Sequence, residues 1–368
     1  MSARVARIRV HRVDVPLLRP FVTAVRRTDH VPAVLVEVVD SDGRSGWGEA
    51  AASWRVTGES PAGIAAAVHG PVRDAVVGLP VDEPQVWGPA VRGSVVGNAA
   101  ARSAVDCALW DLKARLLGVP LHRLLGAVHQ SVPLYGSGGF TTYDDDELVA
   151  ALTGWTAQGL TRVKIKVGES WGGRPDRDLA RAARCRDVVG ADIELFVDAN
   201  GGYDAGQAVR MAGAFDELDV GWFEEPVSSD DLAGLATVRA RSRADVTAGE
   251  YGYDLAYLAR MARSGAVDCL QADVTRCGGI TELLRVAAAA AGCGLDVSGH
   301  CAPHQHVAAL AAVPNLRHLE WFHDHVRIET LLFAGALAPV RGGLVPSDDR
   351  PGHGLAWRPD VAEEFRVG

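Results

Sequence analysis

ELFVDAN at residues 194–200, VGWFEEP at 220–226 and DVTAGE at 245–250 are three short apolar runs, and each carries an acid at its end. The acids are Asp198, Glu224 and Glu250, spaced 26 positions apart (198 to 224, 224 to 250). That interval accommodates one strand and one crossover helix, the unit that joins parallel strands. Three carboxylates projecting from neighbouring strand ends into one cavity would repel one another unless a cation sits between them. Hard oxygen ligands with room for water and a substrate oxygen suit Mg2+. Helix capping is the alternative use for Asp198 and Glu250, since Asn200 and Gly252 follow each at two positions.

Working outward, the same texture recurs after Gln130. Further runs are VPLYGS at 132, TRVKIKV at 161, VDCLQADV at 267, GLDVSGH at 294 and RHLEWF at 317. With the first three they make eight strands, separated by alanine-rich helical stretches such as 176–188 and 281–291. Eight alternating βα units predict an α/β fold, a modified TIM (β/α) barrel. Before it, residues 4–49 alternate apolar and polar around an Asp42-Gly43 turn, as antiparallel hairpin strands do. A helix follows at 99–117, with Ala104, Cys107, Ala108 and Leu112 on one face, ended by Gly118-Val119-Pro120. The expected division is an N-terminal α+β capping domain at 1–125, the barrel at 126–340, and a C-terminal segment at 341–368 that returns to the cap.

Composition narrows the function. A 48 % hydrophobic and 23 % charged content fits a globular protein with a large core. A net charge of −9 with scattered arginines argues against nucleic acid and for small-molecule chemistry. The alanine-rich stretch 286–291 is too short to span a bilayer, so no membrane partner is expected. Six cysteines without a CxxC pair, and an opening without a leader pattern, predict reduced thiols in a cytoplasm.

In barrels of this kind chemistry sits at the carboxyl ends of the strands. The last polar residues of the runs are Ser137, Lys164 and Lys166, Asp198 and Asn200, Glu224, Glu250, Asp273, His300 and Glu320. Lys164 and Lys166 point to one face, so their mutual repulsion together with the metal is expected to leave one amine neutral and able to take a proton; rim lysines that snorkel outward or bridge to Asp or Glu are the alternative. Glu225 faces away from Glu224 and is expected to be structural. Asp273 and His300, on adjacent strand ends, predict a dyad whose carboxylate fixes the imidazole tautomer. A zinc cluster of His300, Cys301, His304 and His306 is the rival reading. Whether His304, His323 or His325 reaches the site is left open. Glu320, between Leu319 and Trp321, is expected to be held protonated as a donor, with a solvated rim salt bridge as the alternative.

KIKVG, FVDANGGY, WFEEPV, AGE, LQADVTRCGGI, SGHCAP and HLEW, in that order, resemble the enolase superfamily and within it the mandelate racemase type. GWGEA and AVDCALWDLKAR resemble the capping domain, so the likeness covers nearly the whole chain. The resemblance implies Mg2+ on Asp198, Glu224 and Glu250, Lys166 as one base assisted by Lys164, and the Asp273–His300 dyad on the opposite face. It further implies Glu320 as electrophilic acid and Asn200 as a substrate contact; Ser137, the last polar residue of its run, is a further candidate substrate contact. The implied chemistry is removal of the α-proton of a small-molecule carboxylate to give a stabilised enediolate. Dehydration of a β-hydroxy acid leads, and racemisation or epimerisation is the alternative; a non-catalytic binding barrel is a third. RPFVTAVRRTDH and WRVTGES resemble the shorter caps of the muconate-lactonizing and dipeptide-epimerase branch, yet that branch expects a lysine where this chain has Asp273 and Arg276. A sugar acid or a hydroxylated cyclic amino acid such as a hydroxyproline is therefore expected as substrate. Arg26, Arg27 and Thr57 are candidate cap contacts, with solvated loop charges as the plainer alternative. A homo-oligomer is also expected.

Overall fold

The computed structural model describes residues 3–22, 27–51, 58–95 and 97–367. The chain opens with three antiparallel strands, β1 (Val5–Val22), β2 (Arg27–Asp40) and β3 (Ser45–Ala51), in the order β1-β2-β3. Asp40 sets the β2–β3 turn: its Oδ1 accepts the N–H groups of Asp42 and Arg44, both at 2.9 Å, and Gly43 supplies a φ of +87°. The helix Ala99–Leu117 lies across this sheet. Gly46 and Gly48 of GWGEA permit the contact, because a Cβ on Gly48 would stand 2.1 Å from the Ala104 carbonyl oxygen. Gly48→Val is accordingly expected to cost about 3 kcal/mol or more, read as a lowered urea midpoint; an unchanged midpoint would mean that helix and strand can part freely.

The sequence pattern gave this helix one apolar face, but the structure buries it on nearly every side. Ala104, Ala108 and Leu112 belong to the core of the cap, whereas Cys107 belongs to the core of the barrel. The helix is the shared wall of the two cores, which is why small residues cover it. Asp106 fixes the joint, accepting from Thr281 N at 2.9 Å and Thr281 Oγ1 at 2.6 Å; burial pushes its carboxyl up to about 7.

Eight parallel strands follow: β4 (Val132–Gly138), β5 (Arg162–Lys166), β6 (Glu194–Asp198), β7 (Val220–Glu224), β8 (Asp245–Ala248), β9 (Cys269–Ala272), β10 (Asp296–Gly299) and β11 (Leu316–Phe322). Each pairs with the next, and β11 pairs with β4 to close the barrel. All eight runs read from the sequence form these strands. The last segment packs on the cap: Phe333–Ala334 pairs with Ala356–Trp357, Asp14 N donates to Phe365 O at 2.9 Å, and Phe333, Leu355 and Ala362 share a core with Val13, Val15 and Trp47. Among the described residues no helix is long and apolar enough to cross a membrane, and all six cysteines are unpaired.

Candidate active site

Strand register places the site. Lys166 stands opposite Asp198, and Asp198 opposite Glu224, so three of the ionisable groups lie at one level of the barrel. Glu250, Asp273 and His300 stand just past the ends of β8, β9 and β10. Gly249 makes the turn that brings Glu250 in: its φ is +137° and a Cβ there would lie 2.1 Å from Gln271 O. Glu320 is a correction in position, since β11 runs on to Phe322 and Glu320 pairs opposite Tyr135.

Asp198, Glu224 and Glu250 are buried and each offers an oxygen within 4.8 Å of the others. Each is also held closely by a cationic group. Lys166 Nζ bonds Asp198 Oδ2, Lys164 Nζ lies 2.6 Å from both oxygens of Glu224, and His300 Nε2 lies 2.9 Å from Glu250 Oε2. Each lysine is paired with an acid rather than set only against the other, so repulsion between the two does not by itself decide their charge. Burial disfavours the charge on Lys166, but Asp198 outweighs it and holds the amine above its usual range; Glu224 and Glu320 do the same for Lys164.

The dyad forms as expected. His300 Nδ1 is 2.9 Å from Asp273 Oδ2, and Thr275 N and Oγ1 donate to Asp273 Oδ1 at 2.8 and 2.6 Å. Arg276 joins it to Glu250: Nε is 3.2 Å from Asp273 Oδ2 and Nη1 donates to Glu250 O at 3.2 Å. Burial would raise Asp273, yet Arg276 and His300 hold it well below the usual carboxylate range. Burial would lower His300, yet Cys301 and Glu250 hold it well above the usual imidazole value.

Glu320 is not held protonated. Burial pushes it up, but Lys164 Nζ at 2.9 Å, followed by His300 and Lys166, carries it well below the ordinary range. Ser137, read as a substrate contact, instead donates to Glu320 Oε1 at 2.6 Å. Asn200 turns back on Asp198, with its N–H at 2.7 Å from Oδ1 and Nδ2 at 3.2 Å from Oδ2; its own Oδ1 is buried without a partner among the described residues. Glu225 stays structural, bonded by Ser229 Oγ and raised by burial and Glu250. Arg27 is exposed and pairs with Asp29 at 3.2 Å, while Arg26 and Thr57 lie outside the described residues.

The zinc reading fails for two of its four members. His306 bonds Ala302 O at 3.0 Å and Val274 N at 2.8 Å, and His304 bonds Leu337 O at 3.0 Å and Glu329 Oε2 at 2.7 Å. His304 is thus a tie between helices. Glu329→Leu is expected to cost about 1–3 kcal/mol of stability by stranding His304, with Mg2+ affinity unchanged; loss of metal affinity at full stability would place Glu329 in the site instead. His323 rests against Phe140 and Tyr143, whereas His325 Nδ1 accepts the Ala302 N–H at 3.2 Å, which leaves its proton on Nε2. Burial holds His325 at about 4, so it is a neutral donor at physiological pH.

The side chains beneath the site were missed from sequence. Trp222 Nε1 and Gln271 Nε2 donate to Glu224 Oε2 at 3.0 and 2.9 Å. Tyr135, Phe196, Trp222, Gln271, Ser298 and His318 each lie two residues before a strand-end group, so the period-two alternation of a strand turns them inward as the floor. Cys301 begins an apolar wall with Leu17 of the cap, Phe140 and Phe322.

Residues 6–126 match the mandelate racemase / muconate lactonizing enzyme N-terminal domain, and residues 147–361 the enolase C-terminal domain-like family. The chain belongs to the mandelate racemase/muconate lactonizing enzyme family. Among relatives in it, D-galactarolactone cycloisomerase of Agrobacterium fabrum is 30 % identical over 393 aligned positions, covering 99 % of each chain. L-Ala-D/L-Glu epimerase of Bacillus subtilis is 29 % identical, covering 80 % of this chain and 79 % of its own. L-talarate/galactarate dehydratase of Salmonella typhimurium is 32 % identical, covering 72 % and 65 %. A solved mandelate racemase/muconate lactonizing enzyme-like protein from Rubrobacter xylanophilus superposes with a TM-score of 0.92 at 41 % identity, over 99 % of this chain and 100 % of that one. A racemase from Streptomyces coelicolor, solved with bound magnesium, gives 0.90 at 27 % identity over the same shares. Family membership accounts for the capped barrel.

Proposed function

We propose that this chain is a Mg2+-dependent enzyme that removes the α-proton of a small carboxylate, and that its overall reaction is dehydration of a β-hydroxy acid. A sugar acid or a hydroxylated cyclic amino acid such as a hydroxyproline is the substrate class. The observation that carries the reading is the two-sided placement of Lys166 and His300, one on Asp198 and the other on Glu250, at the two flanks of the carboxylate cluster.

The donor set fits Mg2+, with Asp198, Glu224 and Glu250 as its ligands. Five carboxylates (Asp198, Glu224, Glu250, Asp273, Glu320) face four cationic groups (Lys164, Lys166, Arg276 and charged His300). Acidic groups thus outnumber cationic ones, which favours a cation among them. Bound there, Mg2+ supplies Lewis-acid stabilisation of the charge that develops when the α-proton leaves.

Lys166 takes the α-proton, and before it can do so the ammonium must leave Asp198 and give up one proton to solvent. Lys164 and Ser137 hold Glu320 Oε1 and the Cys301 N–H holds Oε2, so Glu320 can donate to the substrate's second carboxylate oxygen only once Oε2 has taken up a proton. His300 delivers the Nε2 proton to the departing β-hydroxyl, which leaves as water, while Nδ1–H stays on Asp273. Where the α-carbon also carries a hydroxyl, the enol so formed becomes a 2-keto acid; where it carries the ring nitrogen of a cyclic amino acid, the enamine becomes a cyclic imine that water opens to a 2-keto acid. The same pair also suits racemisation or epimerisation, in which His300 returns a proton to the opposite face; the epimerase relative supports that second reading. A non-catalytic barrel would be expected to have lost part of this set, and every group is present.

Incubation with Mg2+ and a panel of hydroxy acids and hydroxylated cyclic amino acids in D2O separates the readings. A 2-keto product is expected; α-deuteration with the hydroxyl retained would establish the racemase reading in its place. A cytoplasmic location, supported by the six unpaired cysteines, and assembly as a homo-oligomer, to be read by light scattering, complete the proposal.

A further inference from the structure

Cys301 has no part in the chemistry above, yet its thiol is buried between two groups that do. Its Sγ lies 3.4 Å from His300 Nε2 and 3.3 Å from Glu320 Oε2, and those two atoms are 3.6 Å apart. Ligand atoms about 2.0–2.3 Å from a tetrahedral Zn2+ are separated by about 3.3–3.6 Å. The three atoms therefore already sit at the corners of one face of such a tetrahedron. We propose that His300, Cys301 and Glu320 form a second cation site, selective for a thiophilic divalent ion such as Zn2+, and that filling it shuts the enzyme down.

The surroundings are arranged for this. His300 Nδ1 is already committed to Asp273 Oδ2 at 2.9 Å, the carboxylate support that orients a metal-binding imidazole and leaves Nε2 to bind. Glu320 divides its oxygens: Oε1 is taken by Ser137 and Lys164, while Oε2 faces the thiol and also accepts the Cys301 N–H at 3.0 Å. Cys301 holds this posture with a left-handed backbone, φ +51°. Donor chemistry separates the two sites, since three carboxylates suit a hard ion and a thiolate with imidazole suits a softer one. On binding, the Cys301 thiol proton and the His300 Nε2 proton leave to solvent and both lone pairs go to the ion. His300 is then withdrawn from Glu250 and can neither give nor take a proton. That loss of turnover rests on the role given to His300 under the proposed function; the binding does not.

The test uses the full chain in saturating Mg2+, titrated with Co2+ as the probe and then with Zn2+. A near-ultraviolet thiolate-to-cobalt absorption is expected, saturating at one Co2+ per chain and removed by one equivalent of Zn2+. Cys301→Ser is expected to lack the absorption and to bind Zn2+ at least about 100-fold more weakly, beyond the roughly 10–100-fold cost of losing an outer partner. Asp198→Asn is expected to keep the absorption while losing Mg2+, which separates failure of this site from failure of the carboxylate site. Should Cys301→Ser not fold, X-ray absorption at the zinc edge of the unaltered protein is expected to find one sulfur at about 2.3 Å with nitrogen and oxygen neighbours. No absorption, its survival in Cys301→Ser, displacement of Co2+ by excess Mg2+, or a zinc shell without sulfur would each overturn the proposal.

Discussion

Lys166→Ala and His300→Asn are each expected to lose about 10³-fold in turnover or more, the upper part of the range for a proton-transfer group, and to fail in different ways. Lys166 reaches the site from β5 and His300 from the end of β10, with the carboxylates between them. If the reaction is dehydration, Lys166→Ala loses α-proton exchange with solvent. His300→Asn keeps that exchange and loses the 2-keto product, because only the leaving hydroxyl has lost its acid. If the reaction is racemisation, each variant still washes out the α-proton of one enantiomer. Proton NMR in D2O reads both. Equal loss of exchange from both enantiomers in both variants, with Mg2+ affinity intact, would remove the two-sided arrangement from the account.

Glu224→Ala carries the second large effect, on stability as well as on the cation. Glu224 takes Lys164 Nζ on both oxygens and accepts Trp222 Nε1 and Gln271 Nε2 besides, all fully or nearly fully buried. Removing it takes from the Lys164 ammonium its nearest carboxylate, with Glu320 left at 2.9 Å, and strands two donors where water does not reach. Breaking one side of a buried ion pair costs about 3–5 kcal/mol. Chemical denaturation without Mg2+ is expected to show that loss, and added Mg2+ to restore little, since a ligand stabilises only the folded state that binds it. Glu224→Gln keeps an acceptor for Trp222 and is expected to retain more stability while still losing the cation. Stability of Glu224→Ala equal to the parent would mean that Lys164 is held by Glu320 alone.

What the sequence disclosed follows from the geometry of a parallel barrel. Each strand leaves the core at its carboxyl end, so the last polar residue of a run is the one that chemistry can use, and Asp198, Glu224, Glu250, Asp273 and His300 could be read one strand at a time. Pairwise facts could not. That each lysine would be tied to an acid, and that Glu320 would be ionised beside Lys164, depends on distances across the barrel that no run contains. Ser137 and Asn200 were visible as polar groups at the mouth, but whether such a group turns toward substrate or toward a neighbouring carboxylate is decided by χ angles and strand register. The floor residues were hidden in apolar runs, where Trp222 and Gln271 look like core. Counting back two positions from Ser137, Asp198, Glu224, Asp273, His300 and Glu320 would have found them. His304 and His306 show the opposite case: their spacing offered a rival ligand pattern, but the helix they sit on turns them to Glu329 of the following helix and to backbone.

The central claim is that Asp198, Glu224 and Glu250, and not the adjacent buried Glu225, hold one divalent cation. Mn2+ binding followed by electron paramagnetic resonance tests it without knowledge of the substrate. One tight Mn2+ per chain is expected for the unaltered protein and for Glu225→Gln, with affinity falling at least about 100-fold in Asp198→Asn and Glu224→Gln. Unchanged affinity in Asp198→Asn, or an equal loss in Glu225→Gln, would contradict the account.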